Sequence, residues 1–377
     1  LGSKLLKPLR VGFIGVGGIA QGAHAPAVKN VEILKLVSCA DIDEKRLKMF
    51  QEKYGCERVY TDYKEMLEKE KPDIVLVATP HGVHAKAAID ALESGSHVYL
   101  EKPMATSLEE ALRIAETARR VKKILAVGHV YRFSPSRLTA RKIVQTGRLG
   151  RIYYSRTLLL RRRGIPNSPT FLKKSLAGGG AVLDIGSHAV DSLLFIQGFP
   201  IPKHVSAITY RAFSKRFDML MGYPLPQHPR PEELEEIEVE DFGAGFIRFS
   251  DGSTAHVEVS WASYLRDEVD EVIILGDRGG ITVDGRANKL YYMMSVEDEY
   301  MISEALLSSP REDAFTRSWR LLAEAVQSGR ERAPYPLCTA EQGVLNMAIL
   351  DAIYRSSVVG KEVDIALPKW ITDNLGW

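Results

Sequence analysis

The sequence predicts an α/β N-terminal half, a doubly wound parallel sheet with helices on both faces. It predicts an α+β C-terminal half on an open, mainly antiparallel mixed sheet. Three observations carry this. Short runs that are apolar throughout alternate with helical patterns over the first 130 residues, as in a parallel sheet buried on both faces. A glycine-rich turn, Gly15-Val16-Gly17-Gly18-Ile19-Ala20, follows the first of these runs. After residue 150 the strands lengthen and lean towards alternation, and Asp251-Gly252 stands between two of them as a hairpin signal.

The elements follow in order. Residues 11–14 form an apolar strand that ends in glycine, and 19–30 a helix. Residues 33–40 are a second strand ending at Asp41, and 43–54 a helix with Leu47 and Phe50 three apart. Strand 74–78 leads into Thr79-Pro80, helix 83–94 stops at Gly95, and strand 97–100 leads into Glu101-Lys102-Pro103. Ser107 caps a helix to Arg120, with Glu110 in capping-box position, and strand 124–127 closes at Gly128. The second half reads as strands 152–160, 205–210, 242–249, 254–261 and 271–275, with helices at 135–146, 184–197, 314–328 and 340–356. The expected domains are 1–130 and 131–377. The stretch 212–238 holds Pro224, Pro226, Pro229 and Pro231; it is too long for an ordinary connection and reads as an arm or lid.

Composition narrows the function classes. Hydrophobic residues make up 45% and charged residues 26% of the 377 residues, so the chain can bury a core. Lys+Arg 50 against Asp+Glu 48 argues against a nucleic-acid binder. No run reaches the roughly 18 apolar residues of a membrane span, and no signal peptide is read at the N-terminus. Cys39, Cys56 and Cys338 are scattered, form no metal spacing and suit a reducing cytoplasm.

Gly15-x-Gly17-x-x-Ala20 sits between a strand and a helix, the context a dinucleotide fingerprint requires. The expected cofactor contacts are Gly15, Gly17, Gly18 and Ile19, with phosphates on the free N–H groups of the helix start. Asp41 ends the second strand and would accept the ribose hydroxyls, which favours NAD; Arg46, close by, keeps NADP open. Thr79, Pro80, Glu101 and Lys102 lie directly after parallel strands, where ligands of open parallel sheets bind. Lys102 is a cation that can polarise a substrate oxygen or otherwise make a surface salt bridge. His81 and His84 touch a ligand or cap locally, and Glu101 contacts cofactor or ties its own loop. In Gly178-Gly179-Gly180-Ala181-Val182-Leu183-Asp184-Ile185-Gly186-Ser187-His188 the glycines imply close approach by another backbone or side chain. Asp184, His188 and Asp191 fall at i, i+4 and i+7 on one helix face. His188 suits proton exchange near neutrality, and Asp184 either orients its imidazole, contacts substrate or caps the helix. Arg161-Arg162-Arg163 is a solvated strand end from which Arg161 can reach a polar substrate. No metal is expected, because the set offers one histidine and no zinc spacing.

On these residues the chain resembles the glucose–fructose oxidoreductase / inositol dehydrogenase / MocA-like (Gfo/Idh/MocA) family. The match runs through the Gly15 turn, Ala78-Thr79-Pro80 with His84, Glu101-Lys102-Pro103, Arg132-Phe133-x-Pro135 and the triple glycine with Asp184, His188 and Asp191. It continues in Val259-Ser260-Trp261 and Asp351-Ala352-Ile353-Tyr354-x-Ser356. The resemblance implies a Rossmann domain, then an open sheet whose back face makes a homodimer or homotetramer. It implies NAD(P)-dependent hydride transfer at a secondary alcohol of a sugar, cyclitol or sugar derivative. His188 would be the base, Asp184 its orienting partner and Lys102 the group that stabilises the oxygen; Asp191 would contact substrate hydroxyls. A keto-sugar or nucleotide-sugar reductase, a sugar transhydrogenase with tightly bound cofactor, and a dinucleotide-sensing regulator are the competing readings. The family often has asparagine at the place of His81, and the 212–238 arm is no shared motif.

Overall fold

A computed structural model describes residues 7–221, 236–297 and 299–376. Pro224, Pro226, Pro229 and Pro231, the centre of the expected arm, lie outside the described residues.

The first sheet contains β1 (Leu9–Ile14), β2 (Leu34–Ala40), β3 (Arg58–Tyr60), β4 (Ile74–Val77), β5 (His97–Leu100) and β6 (Leu125–Val127). Among these the order is β6-β5-β4-β1-β2-β3, all parallel. The order reverses between β1 and β4, so the crevice at their carboxyl ends is the ligand site of a doubly wound sheet. Helices α1 (Ala25–Lys29), α2 (Glu44–Tyr54), α3 (Tyr63–Glu70), α4 (His81–Glu93) and α5 (Leu108–Val121) connect the strands. Strand β4 is buried along its length, as its unbroken Ile-Val-Leu-Val requires. Ser107 caps α5 through the Glu110 N–H. The return bond of the expected capping box instead runs to the Glu110 carboxylate from Thr106 N–H and hydroxyl, because Thr106 stands closer to that side chain.

After α6 (Pro135–Gln145) the second sheet begins with β7 (Ile152–Leu160). Two short helices, α7 (Pro169–Leu172) and α8 (Lys174–Ala177), precede the long α9 (Ala181–Gln197). Then come β8 (Pro202–Tyr210), β9 (Phe242–Phe249), β10 (Thr254–Ser260), β11 (Val269–Gly276), β12 (Gly279–Asp284), β13 (Lys289–Val296) and β14 (Glu299–Glu304). With β16 (Val363–Asp364) they form a nine-stranded sheet, order β14-β13-β12-β11-β7-β10-β9-β8-β16. Only the β7–β10 pair is parallel. Asp251-Gly252 does turn the antiparallel β9–β10 hairpin. One face packs on α9 and α11 (Ala340–Val359). The other exposes Tyr153, Ile208 and Tyr210.

The expected boundary at residue 130 is where the chain leaves the first sheet, but the division is not clean. Helix α10 (Ala314–Gln327) packs on the first sheet, with Trp319 stacked on Tyr99 at 4.9 Å and on Phe13 at 6.2 Å. Next, β15 (Cys338–Thr339) adds antiparallel to β6. The amphipathic face of α10 needs an apolar surface, and the outer face of β1 and β5 supplies it. The chain ends in α12 (Lys369–Thr372). The stretch Lys174–Gln197 is long enough, and on average apolar enough, to cross a membrane, although Asp184, His188 and Asp191 interrupt its apolar residues. Its window is 94% buried inside the protein, so the apolarity is that of a core helix between the sheet and α11.

Candidate active site

The cradle at the end of β1 is built as the glycine spacing requires. Gly15 has φ +87°, and a Cβ there would stand 2.5 Å from the Ala78 carbonyl oxygen. Only glycine lets β1 turn this close to β4. Added Cβ atoms at Gly17 and Gly18 would meet nothing within 4 Å, and Ile19 is 43% exposed. Thr79 Oγ1, at the edge of this crevice, is buried and lacks a hydrogen-bond partner among the described residues. An open backbone cradle, an exposed apolar side chain and an orphaned hydroxyl fit a dinucleotide. Asp41 accepts from the Val16 N–H at 2.9 Å and the Asp43 N–H at 3.0 Å. Arg46 reaches both Asp41 oxygens at 3.4 Å. The acid at the end of β2 is therefore held by two backbone donors, with a guanidinium beside it. Pro80 N-caps α4 and brings no side-chain hydrogen bond.

The triple glycine has its explanation in what presses against it. A Cβ at Gly178 would lie 2.5 Å from Thr106 Cγ2, at Gly179 2.2 Å from the Tyr354 hydroxyl, and at Gly180 1.9 Å from the Glu240 carbonyl oxygen. Glu240, 60 residues on, caps α9 in place of a local residue. Its carboxylate accepts from the Gly180 N–H at 2.9 Å and the Val182 N–H at 3.0 Å, and Tyr354 Oη donates to it at 2.6 Å. Burial raises the Glu240 carboxyl above its ordinary value, against these donors. Glu240 did not stand out in the sequence, and Tyr354 did so only within the Asp351–Ser356 match with no role attached, since their partners are far away in the chain.

Helix α9 presents Asp184, His188 and Asp191 to three different partners. Lys102 Nζ donates to Asp184 Oδ1 at 2.6 Å, and Trp261 Nε1 donates to Oδ2 at 2.9 Å. Burial pushes the Asp184 carboxyl up, but Lys102 and Trp261 outweigh it and hold it below the ordinary range. Asp184 therefore anchors Lys102; the expected contact with the imidazole is not made among the described residues, because Lys102 and Trp261 take its two oxygens. His188 is held by stacking on Tyr131, at 4.2 Å and 14°. The Arg137 guanidinium lies over the Tyr131 ring 5.0 Å from its centre. The Nδ1 of His188 is buried without a hydrogen-bond partner among the described residues. Burial and the nearby cations Lys102, Arg161 and Arg137 push its pKa well below the usual 6.5.

Asp191 departs from the expected substrate contact. It is 1% exposed, and Arg132 grips both of its oxygens, at 2.8 and 2.6 Å. A carboxylate one turn deeper on the helix meets the core instead of the crevice, so it is buried with a counter-ion. His129, Asp191 and Cys338 bring three potential metal donors together, but Arg132 already occupies the carboxylate. His84 also departs from its expected place against the cofactor. Its two ring nitrogens face Pro103 O at 2.8 Å and Thr79 O at 2.9 Å. It ties together the loops after β4 and β5. His81 faces Ala177 O at 3.2 Å, and burial, with His84 and Lys102 nearby, lowers it to about 3. Glu101 is turned away from the crevice, with Oε1 2.7 Å from His24 Nε2.

Arg161 leaves the end of β7 and, with Tyr131, lines a cavity of about 350 Å³. Arg163, Gly164, Met221, Glu268, Asp270 and Arg286 complete its named wall with Leu159, Leu160 and Val269. Tyr131 thus has one neighbour in the imidazole and one edge on the cavity. The arrangement offers an ammonium, an uncharged imidazole and, on the other side of Tyr131, a polar cavity. That is what proton removal from a hydroxyl requires during hydride loss.

Comparison with known proteins agrees with this fold. Residues 9–129 match the family described as "Oxidoreductase family, NAD-binding Rossmann fold", and residues 138–282 match the GFO/IDH/MocA C-terminal domain. The chain is 32% identical over 359 residues to D-glucoside 3-dehydrogenase of Escherichia coli (strain K12), covering 95% of this chain and 98% of that one. It is 27% identical over 299 residues to levoglucosan dehydrogenase of Pseudarthrobacter phenanthrenivorans, covering 73% of each. The solved levoglucosan dehydrogenase in complex with NADH and levoglucosan shares the fold. Its TM-score is 0.82 at 23% identity, over 96% of this chain and 100% of that one. The chain belongs to the Gfo/Idh/MocA family of NAD-dependent oxidoreductases.

Proposed function

We propose that this protein oxidises, reversibly, a secondary ring hydroxyl of a glucoside-like sugar with NAD. The observation that carries the reading is the Lys102–Asp184 ion pair at 2.6 Å. Its Asp184 lies one helix turn before His188, and its Lys102 follows β5, two strands from the β1 turn that carries Gly15, Gly17 and Gly18. The nicotinamide supplies the hydride chemistry when bound. Asp184, pinned by Trp261, holds the Lys102 ammonium where it stabilises negative charge developing on the substrate oxygen. His188 is uncharged at neutral pH, because burial and three cations oppose its protonation. It therefore takes the hydroxyl proton as base, with its ring plane set by Tyr131. Arg161 offers hydrogen bonds to substrate from the cavity wall. Asp41 accepts the adenosine ribose hydroxyls and disfavours a 2′-phosphate.

The likeness to D-glucoside 3-dehydrogenase along nearly the whole chain supports a pyranoside as substrate. The exposed Tyr153, Ile208 and Tyr210 on the open sheet face support self-association through that face. The test is NADH formation with methyl glucosides, levoglucosan and myo-inositol, run with NAD and NADP in parallel. Turnover with a glucoside and NAD, abolished by His188→Ala and by Lys102→Ala while NADH still binds, is expected. Near-wild-type turnover in both variants would sink the assignment.

A further inference from the structure

Behind the Lys102 loop lies a buried polar chain that the reaction scheme above does not use. His24 is fully buried in the turn between the glycine cradle and α1. Its Nε2 is 2.7 Å from Glu101 Oε1, and Trp319 Nε1 is 3.0 Å from its Nδ1. The other Glu101 oxygen accepts from the backbone N–H of Lys102 at 3.2 Å. Tyr99 and Phe315 pack edge-on against the His24 ring, at 5.1 and 5.0 Å. Gly128 makes room for the carboxylate: a Cβ there would stand 2.9 Å from Glu101 Oε1.

The donor inventory decides the proton positions. An indole nitrogen only donates. His24 Nδ1 must therefore accept from Trp319, and the ring proton sits on Nε2. That N–H points at Glu101, so the carboxylate receives one donor on each oxygen. The chain is ordered from Trp319 through His24 and Glu101 to the backbone of Lys102. It begins on α10, a late helix that returns to cover the first sheet. Burial acts to raise the Glu101 carboxyl, but the His24 bond and nearby Lys102 and His84 hold it below the ordinary range.

We propose that Trp319, His24 and Glu101 are positioning residues that fix the Lys102 backbone, so that its ammonium meets Asp184 and the reacting oxygen in one geometry. His24 serves this role only as the Nε2–H tautomer, which the Trp319 donor at Nδ1 and the Glu101 acceptor at Nε2 both require. None of the three touches substrate. This inference rests on the proposed role of Lys102 for its kinetic readout, and stands on its own for the tautomer.

Two measurements test it on the full-length protein. The first is two-bond ¹H–¹⁵N spectroscopy of ¹⁵N-histidine-labelled protein, with His24 assigned by loss of its signals in His24→Ala. A bare Nδ1 and a protonated Nε2 are expected in the wild type. A protonated Nδ1 in the wild type would overturn the relay. The second is the kinetics of Glu101→Gln with methyl glucosides and NAD. Gln keeps one acceptor and turns an amide donor towards a donor, so one of the two bonds must break. A displacement of about 1 Å at a reacting group costs about 100-fold in rate. So kcat falls about 100-fold, while KM and the NADH Kd stay within about threefold. His24→Gln, whose amide can restore the donor to Glu101, recovers part of the turnover lost in His24→Ala. A Glu101→Gln enzyme that folds, binds NADH and keeps wild-type kcat would refute the positioning role. So would a fall in KM performance alone. Wild-type protein inert to every sugar tried would defeat the proposed function instead, and the tautomer would still decide the relay.

Discussion

Replacing Gly180 by alanine tests how α9 is held. The new Cβ would stand 1.9 Å from the Glu240 carbonyl oxygen, 2.9 Å from its carbon and 3.0 Å from Val239 Cγ2. Real contacts of this kind begin near 3.0 Å, so backbone must separate from backbone by at least about 1.1 Å. The same Glu240 supplies the cap of α9, with bonds of 2.9 to 3.0 Å to the N–H groups of Gly180, Ala181 and Val182. A shift of that size takes them out of hydrogen-bond range. Overpacking costs about 1–3 kcal/mol, and loss of a helix cap adds about 1 kcal/mol. For a chain of this length, a loss of about 2–4 kcal/mol lowers Tm by about 3–5 °C. Asp184 follows Gly180 by one turn and moves with the helix start, away from Lys102. At about 1 Å of misplacement, kcat falls about 100-fold. Calorimetry and kcat at saturating NAD and methyl glucoside measure both effects. Gly22→Ala is the control, because a Cβ at Gly22 meets nothing within 4 Å. An unchanged Tm in Gly180→Ala would refute the trans-cap. A lowered Tm with unchanged kcat would mean that the cap does not govern the Lys102–Asp184 geometry.

Three further outcomes are expected. Lys102→Met cuts kcat by about 100- to 1000-fold, the range for loss of one electrostatic donor, and changes the pH dependence of stability. In the wild type the Asp184 carboxyl is depressed, so its contribution is present above its unfolded pKa and lost as pH falls through the lower folded value. Without Lys102 that contribution disappears, and Tm plotted against pH flattens on its acid side; an unchanged slope would contradict the assignment. Asp41→Ser removes the carboxylate that opposes a 2′-phosphate and leaves Arg46 to receive it. The ratio of kcat/KM for NADP over NAD should rise by at least about tenfold, and a constant ratio would show that Asp41 does not read the ribose. Arg132→Met leaves the Asp191 carboxylate buried without its counter-ion and should cost about 3–5 kcal/mol. Urea unfolding checks this, and a loss below about 1 kcal/mol would mean that Asp191 finds another partner.

Local signals in the sequence carried the parallel sheet and the candidate site residues that the structure brings together. Unbroken apolar runs such as Ile74-Val75-Leu76-Val77 specify strands buried on both faces, and the glycine turn specifies its own backbone. Lys102, Asp184 and His188 were legible because each sits in a short motif at a strand or helix end. Short or exposed elements gave weaker patterns: β3 has only three residues, and every residue of β14 is exposed. Neither shows a buried period.

What the sequence by itself determined is the set of groups available and the type of each element near them. Only the tertiary structure decided which group meets which. The i, i+4, i+7 spacing puts Asp184, His188 and Asp191 on one helix face, but it does not say what lies opposite each turn. Opposite Asp184 stand Lys102 and Trp261, opposite His188 stands Tyr131, and opposite Asp191 stands Arg132. The cap of α9 comes from residue 240, and the support of the Lys102 loop runs back to residue 319. The reason is physical: helix and strand preferences arise from neighbours within a few residues. Ion pairs, caps and stacked rings form between any groups that packing brings within a few ångströms, however far apart they lie in the chain.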